Sequence, residues 1–170
     1  MAIPVEPSSP EGRGRSDAIA DLYGRYGRTL FRLAYRLTGT KEDAEDVVHD
    51  VFAGLPESLE RYEERGRVDA WLRRVTARVA LMRLRSGRRR PTIRLENVDV
   101  RSEASNEPHI DLQAAVDALP SHLRSVLVLR EIEGYSHTEI AGMLGISAVT
   151  SRVRLLRAMA KLRRNLGETR

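Results

Sequence analysis

The sequence predicts an all-α protein made of two small helical domains joined by a flexible linker. Three observations carry that reading. Apolar residues recur at three- and four-residue steps over nearly all of the 170-residue chain. No alternating apolar and polar run of useful length marks a strand. Between Pro91 and about Ile110 the period lapses into the polar, acidic stretch PTIRLENVDVRSEASNEPHI. About twenty structureless residues belong between domains rather than inside one.

Taken in order, residues 1–15 read as a disordered arm, with no apolar stretch of the kind a signal peptide needs. The first domain is expected over 16–90. Its first helix carries Ile19, Leu22, Tyr23, Tyr26, Leu30, Leu33 and Leu37, and Gly39 stops it. Thr40 and Asp43 make a T-x-x-D cap for the next helix. That helix sets Ala44, Val47, Val48, Val51, Phe52, Leu55 and Leu59 on one stripe, with Glu42, Glu45, Asp46, His49 and Asp50 opposite. A third helix from about Asp69 is expected to turn Trp71, Leu72, Val75, Val79 and Met82 inward and its arginines outward. Residues 91–111 form the linker, in which Ile93–Val100 has a strand-like composition but no partner strand.

The second domain is expected over 112–170. Helical period returns at Leu112, Val116 and Leu119, breaks at Pro120, and resumes through Leu123, Val126, Leu127 and Leu129 to Gly134. Ser136 and Glu139 then form a capping box, with Tyr135 and Ile140 as its hydrophobic staple. A short helix holding Ile140, Ala141 and Leu144 ends at Gly145, Ile146 packs, Ser147 caps, and a long helix begins. Helix, glycine-containing three-residue turn, helix is a helix-turn-helix.

Composition narrows the chemistry. The chain has no cysteine, which excludes a disulfide scaffold, a thiolate zinc site and a cysteine nucleophile, and fits a reducing cytoplasmic location. No apolar run is long enough to span a membrane. The net charge of +5 is modest, but its layout is blocked. Residues 42–64 hold nine acids and one base, and 65–90 hold ten bases and one acid. Residues 91–118 hold six acids and two bases, and 119–170 nine bases and four acids. Such alternation implies several partners of different charge, the basic blocks favouring nucleic acid; solvated helix faces are the plainer alternative.

The long helix after Ser147 holds six bases from Arg152 to Arg164 and no acid. Its first turns are those a recognition helix presents to base edges, with Thr150, Ser151 and Arg152 as donors. Arg154, Arg157 and Lys161 would reach phosphates. Arg73, Arg74, Arg78, Arg83, Arg85 and Arg88–Arg90 make a second basic surface, near Trp71, Tyr62 and Met82, which could stack on an unpaired base; Trp71 lies on the apolar stripe and reads first as core. Glu42, Asp46 and Asp50 share a helix face but have no second wall of ligands for a metal. No catalytic triad, nucleophile elbow or phosphate loop is present, so neither an enzyme nor a cofactor is expected.

On these motifs the chain resembles a bacterial RNA polymerase sigma factor of the extracytoplasmic-function (ECF) class, over about residues 17–90 and 112–166. LYGRYGRTLFRLAYRLTGTKEDAEDVVHDVFAGL looks like the first two segments of sigma domain two, and AWLRRVTARVALMRLRSGRRR like its promoter-facing helix. LPSHLRSVLVLREIEGYSHTEIAGMLGIS with the basic helix looks like sigma domain four. The resemblance implies a factor that binds core RNA polymerase and directs it to promoters, without catalysis of its own. It implies polymerase contacts by Glu45, Asp46, His49 and Asp50, and minus-ten DNA contacts by Arg73, Arg74, Arg78, Met82 and Arg85. Minus-thirty-five contacts fall to Ser147, Val149, Thr150, Ser151, Arg152, Arg154 and Arg157. It also implies an anti-sigma factor as partner, a linker that threads toward the polymerase active centre, and no further domain after the fourth. Arg78 and Met82 stand where members often carry Asn and Asp, Val149-Thr150-Ser151 where Gly-Thr-Val is frequent, and His49 where Gln is common. Two alternatives stay open on residues alone: a helix-turn-helix regulator that never joins polymerase, and a metal-dependent nuclease built on the acidic helix.

Overall fold

A computed structural model describes residues 10–56, 67–87 and 112–167. Among them every regular element is helical. In chain order these are α1 (Pro10–Thr38), α2 (Lys41–Ala53), α3 (Val68–Gly87), α4 (Leu112–Asp117) and α5 (Ser121–Leu127). A π-helical segment (Val128–Ile132) follows, then α6 (His137–Leu144) and α7 (Ala148–Gly167). The expected linker, Tyr62, Leu59 and the strand-like Ile93–Val100 lie outside the described residues.

The expected all-α architecture is what the described residues adopt. One boundary differs. The N-terminal arm was expected to run to residue 15, yet α1 begins at Pro10, so residues 10–15 are helical. Proline suits a first helical turn, where its missing N–H would have no intrahelical partner. Glycines at 12 and 14 hide this continuation from an apolar pattern.

By packing the chain divides into two compact units, one of residues 1–35 and 40–80, the other of residues 36–39 and 81–170. In the first, the buried side chains come from all three helices: Leu30, Leu33 and Ala34 on α1, Ala44, Val47, Val48 and Val51 on α2, and Leu72, Thr76, Ala77 and Ala80 on α3. The phase of α3 corrects the expected stripe. Leu72, Thr76 and Ala80, with Ala77, face inward, and Met82 is 62% exposed. Small residues carry this face, and Thr76 satisfies its buried hydroxyl by donating to the Leu72 carbonyl at 2.8 Å. A pattern weighted by apolar bulk therefore sets the stripe about one residue out of phase.

In the second unit α7 packs against α4, α5 and α6. Ala115, Val116, Leu119, Leu123, Leu127, Ala158 and Leu162 form one apolar cluster, with Leu155 and Leu166 against it. Arg124 is buried on α5 and donates through Nη1 to the Asp117 carbonyl at 3.1 Å. The π-helical turn closes with the Glu133 N–H on the Val128 carbonyl at 3.1 Å, and Gly134 follows at φ +75°.

Candidate functional site

The helix-turn-helix forms as its caps dictate. Ser136 Oγ accepts from the Glu139 N–H at 3.2 Å, and Glu139 Oε2 accepts from the Ser136 N–H at 2.9 Å, completing the box. Ile140 is fully buried behind it. Gly145 ends α6 at φ +66°, a left-handed conformation that glycine adopts without Cβ strain. Ser147 then caps α7, its Oγ accepting from the Thr150 N–H at 3.0 Å and lying 2.8 Å from Thr150 Oγ1.

The inward stripe of α7 is Ser151, Leu155, Ala158 and Leu162, at helical spacing. Val149, Arg152 and Arg157 are exposed, as is Ser147; Thr150 and Arg154 are half-buried. Ser151 is the correction. Expected to meet base edges, it has no exposed surface, and its Oγ lies 2.9 Å from His137 Nδ1. It holds the first position of the buried stripe and cannot touch DNA. Val153 and Leu156 were missed: they are exposed, Leu156 to 70%, on the same side as Val149. Their spacing from Val149, four and then three residues, opposite the 151-155-158-162 stripe, is the signal that finds them.

His137, the first residue of α6, titrates below its ordinary value near 6.5. Burial is the main cause; the charges of Arg130 and Arg152 act the same way, and Glu131 opposes them.

On α2 the acidic face forms as expected. Glu42, Glu45, His49 and Asp50 are exposed and Asp46 is half-buried. Lys41 pairs with Glu45 at 3.6 Å, and His49 Nδ1 lies 3.6 Å from Asp50 Oδ1. What lies beside this face leaves no mark in the amino-acid pattern. A groove of about 700 Å³ runs between α1 and α2, floored by Phe31, Val48 and Phe52 and rimmed by Arg28, Glu45 and His49. Tyr23 and Phe52 meet edge-on across it, ring centroids 5.0 Å apart. Gly24 and Gly27 thin α1 along its wall. Reading α1 and α2 as separate stripes conceals a groove that needs both.

On α3, Arg74, Arg78, Met82 and Arg85 are exposed at steps of four, four and three residues, so they share one face. Arg73 and Trp71 are half-buried. Among the described residues no three His, Asp or Glu side chains are grouped to hold a metal ion, and no helix is long and apolar enough to cross a membrane.

An acidic helix, an arginine-lined helix and a helix-turn-helix stand on two helical units, and comparison with known proteins identifies the family. The profile of Sigma-70 region 2 matches residues 22–90, and that of Sigma-70, region 4 matches residues 109–162. The ECF RNA polymerase sigma factor SigE of Mycolicibacterium smegmatis is 37% identical, the match covering 94% of this chain and 69% of that protein. The ECF RNA polymerase sigma factor SigM of Mycobacterium tuberculosis is 34% identical, covering 88% of this chain and 78% of SigM. In fold, the chain is similar to the sigma factor RpoE of Bartonella quintana, solved with the anti-sigma factor NepR, with a TM-score of 0.66 at 21% identity over 91% of this chain and 99% of that one. The chain belongs to the sigma-70 family, in its ECF class. It is a transcription initiation factor that binds core RNA polymerase and directs it to promoters.

Proposed function

We propose that each exposed surface serves one partner of initiation. Residues 16–90 act as sigma domain two, 91–111 as the linker and 112–170 as sigma domain four. The acidic face of α2, with Glu45, Asp46, His49 and Asp50, docks on the polymerase, and the α1–α2 groove gives that contact an apolar floor. The α3 face of Arg74, Arg78, Met82 and Arg85, with Arg73 at its edge, holds the melted minus-ten strand. A cationic track with one flexible apolar side chain suits unpaired bases and their backbone.

The first turns of α7 read the minus-thirty-five duplex. Arg152 and Thr150 are the donors and Val149 the apolar contact; Ser147, Arg154 and Arg157 serve the phosphates. The observation that carries this assignment is the orientation of α7, whose buried stripe leaves Val149, Arg152 and Arg157 on the outside. The factor acts in the cytoplasm, performs no catalysis itself and is held inactive by an anti-sigma factor. The anti-sigma partner of the similar RpoE chain supports that last role.

Run-off transcription with core RNA polymerase on fragmented genomic DNA, followed by mapping of start sites, tests the assignment. The expected result is a set of start sites sharing two upstream elements. Arg78→Ala and Met82→Ala should alter preference only in the nearer element, and Arg152→Ala only in the farther one. Glu45→Lys with Asp50→Lys should abolish co-elution with core polymerase. A chain that neither co-elutes with polymerase nor supports promoter-specific transcription overturns the assignment.

A further inference from the structure

We propose that His137 is a positioning residue for promoter reading: its hydrogen bond to Ser151 holds α7 at the angle at which the first turns of that helix meet base edges, and protonation of His137 loosens the hold. This rests on the assignment of α7 as the minus-thirty-five reader.

Ser151 heads a buried stripe whose other members are Leu155, Ala158 and Leu162. A hydroxyl with no exposed surface is costly there unless it is hydrogen-bonded, and Nδ1 of His137 stands 2.9 Å from it. His137 is the first residue of α6, whereas the turn that joins α6 to α7 leaves from the other end, at Gly145. The latch adds an attachment from the far end of α6 to the fourth residue of α7, and with the packing of α7 on its neighbours it constrains the rotation of α7 about its axis. Thr150 and Arg152 flank Ser151 in sequence, so any rotation moves both. The turn itself is braced by the Ile146 N–H on the Ala141 carbonyl at 3.1 Å, and α7 also packs on α4, α5 and α6; the latch is the polar, titratable one among these attachments.

The surroundings make the latch sensitive to protons. Arg130 and Glu131 of the π-helical turn and Arg152 of α7 are the charges that act on His137. Glu139, the acid of its own helix nearest in sequence, is committed to Ser136 at 2.9 and 2.8 Å. In the neutral imidazole Nδ1 accepts from or donates to Ser151 Oγ according to the tautomer. Protonated, it donates to Ser151 Oγ and becomes a third cation beside Arg130 and Arg152, opposed by Glu131, so that charge repulsion, rather than loss of a hydrogen-bonding partner, strains the contact. Repulsion falls on Arg152, the residue assigned to base reading. Acid thus lowers discrimination between sequences while adding a positive charge that favours DNA of any sequence.

The test uses the full chain assembled with core RNA polymerase. Its template is a pool of one mapped promoter randomised over the minus-thirty-five element, transcribed at about pH 7.5 and about pH 5.5. Enrichment of the best sequences over the median, taken within each pool, cancels the pH dependence of the polymerase. His137→Ala and Ser151→Val should lower enrichment about two- to tenfold at the higher pH, as loss of one net hydrogen bond implies. The wild type should fall toward their level at the lower pH. His137→Asn, whose amide takes the place of Nδ1 without titrating, should keep wild-type enrichment at both. If His137→Ala fails to fold, by circular dichroism, Ser151→Val decides, since valine fills the buried site. Unchanged enrichment in Ser151→Val, or an Asn variant that follows the wild-type pH profile or matches the alanine variant, overturns the proposal. If wild type enriches no sequence, α7 is not the reader, and both the assignment and the latch fail.

Discussion

Arg152 and Arg157 are both exposed on α7, and the proposed minus-thirty-five assignment gives them different parts of a DNA contact. On that assignment Arg152, in the second turn, reaches base edges, and Arg157, farther along, reaches phosphates where the helix leaves the groove. Replacing Arg152 with alanine should cost about 1–3 kcal/mol on the preferred sequence and little on others, relaxing specificity. Replacing Arg157 should weaken binding about equally on all sequences. Competition binding of wild type and variants on matched and scrambled duplexes separates the two. His137 adds a pH dependence of stability. Its folded-state value lies below the ordinary 6.5, so the unfolded chain binds more protons in that interval. The contribution is fully present above about pH 6.5, is lost as pH falls through the folded value, and changes no further below it. Unfolding of wild type and His137→Asn at about pH 7.5 and about pH 5.5 should show a larger acid loss in the wild type. Equal losses would assign the effect to other groups.

At the level of elements, capping explains why the short α6 exists. Eight residues are too few for a stable isolated helix, so its ends and packing carry it. Ser136→Ala removes one side of the capping box and should cost about 0.5–2 kcal/mol. Gly145→Val forces a branched residue into a left-handed conformation and should cost about 1–3 kcal/mol. A Cβ at Gly145 would meet nothing within 4 Å, so that cost is purely one of backbone conformation. Chemical denaturation followed by circular dichroism measures both. The two elements misjudged from sequence have a common cause. The start of α1 lacks apolar residues, and between Leu72 and Leu81 the buried face of α3 is made of threonine and alanine; there the side chains are too small or polar to print a hydrophobic period.

For the whole molecule, charge is grouped by face rather than evenly mixed. The net +5 combines an acidic α2 face with basic faces on α3 and α7. If α7 and its flanks make about five phosphate contacts, DNA affinity should fall with a log–log salt slope of roughly −4 to −5. Titration of a labelled promoter duplex at several salt concentrations measures it, and a slope near zero would remove the basic helix as the contact surface. Arginine supplies 27 of the 29 bases, which suits bidentate contacts to phosphate and guanine.

The sequence by itself determined the helical class, the caps at Thr40, Ser136 and Ser147, the stop at Gly39, the turn at Gly145 and the acidic and basic faces. Each of these follows from residues within one or two helical turns of each other. Only the tertiary structure decided that Ser151 is buried against His137, that Met82 faces outward, and that Tyr23, Phe31 and Phe52 bound a groove beside the acidic face. Those facts depend on which helix packs against which and at what rotation. A hydroxyl fourteen residues from its partner, or a groove between two helices, leaves no mark on the period of either helix alone.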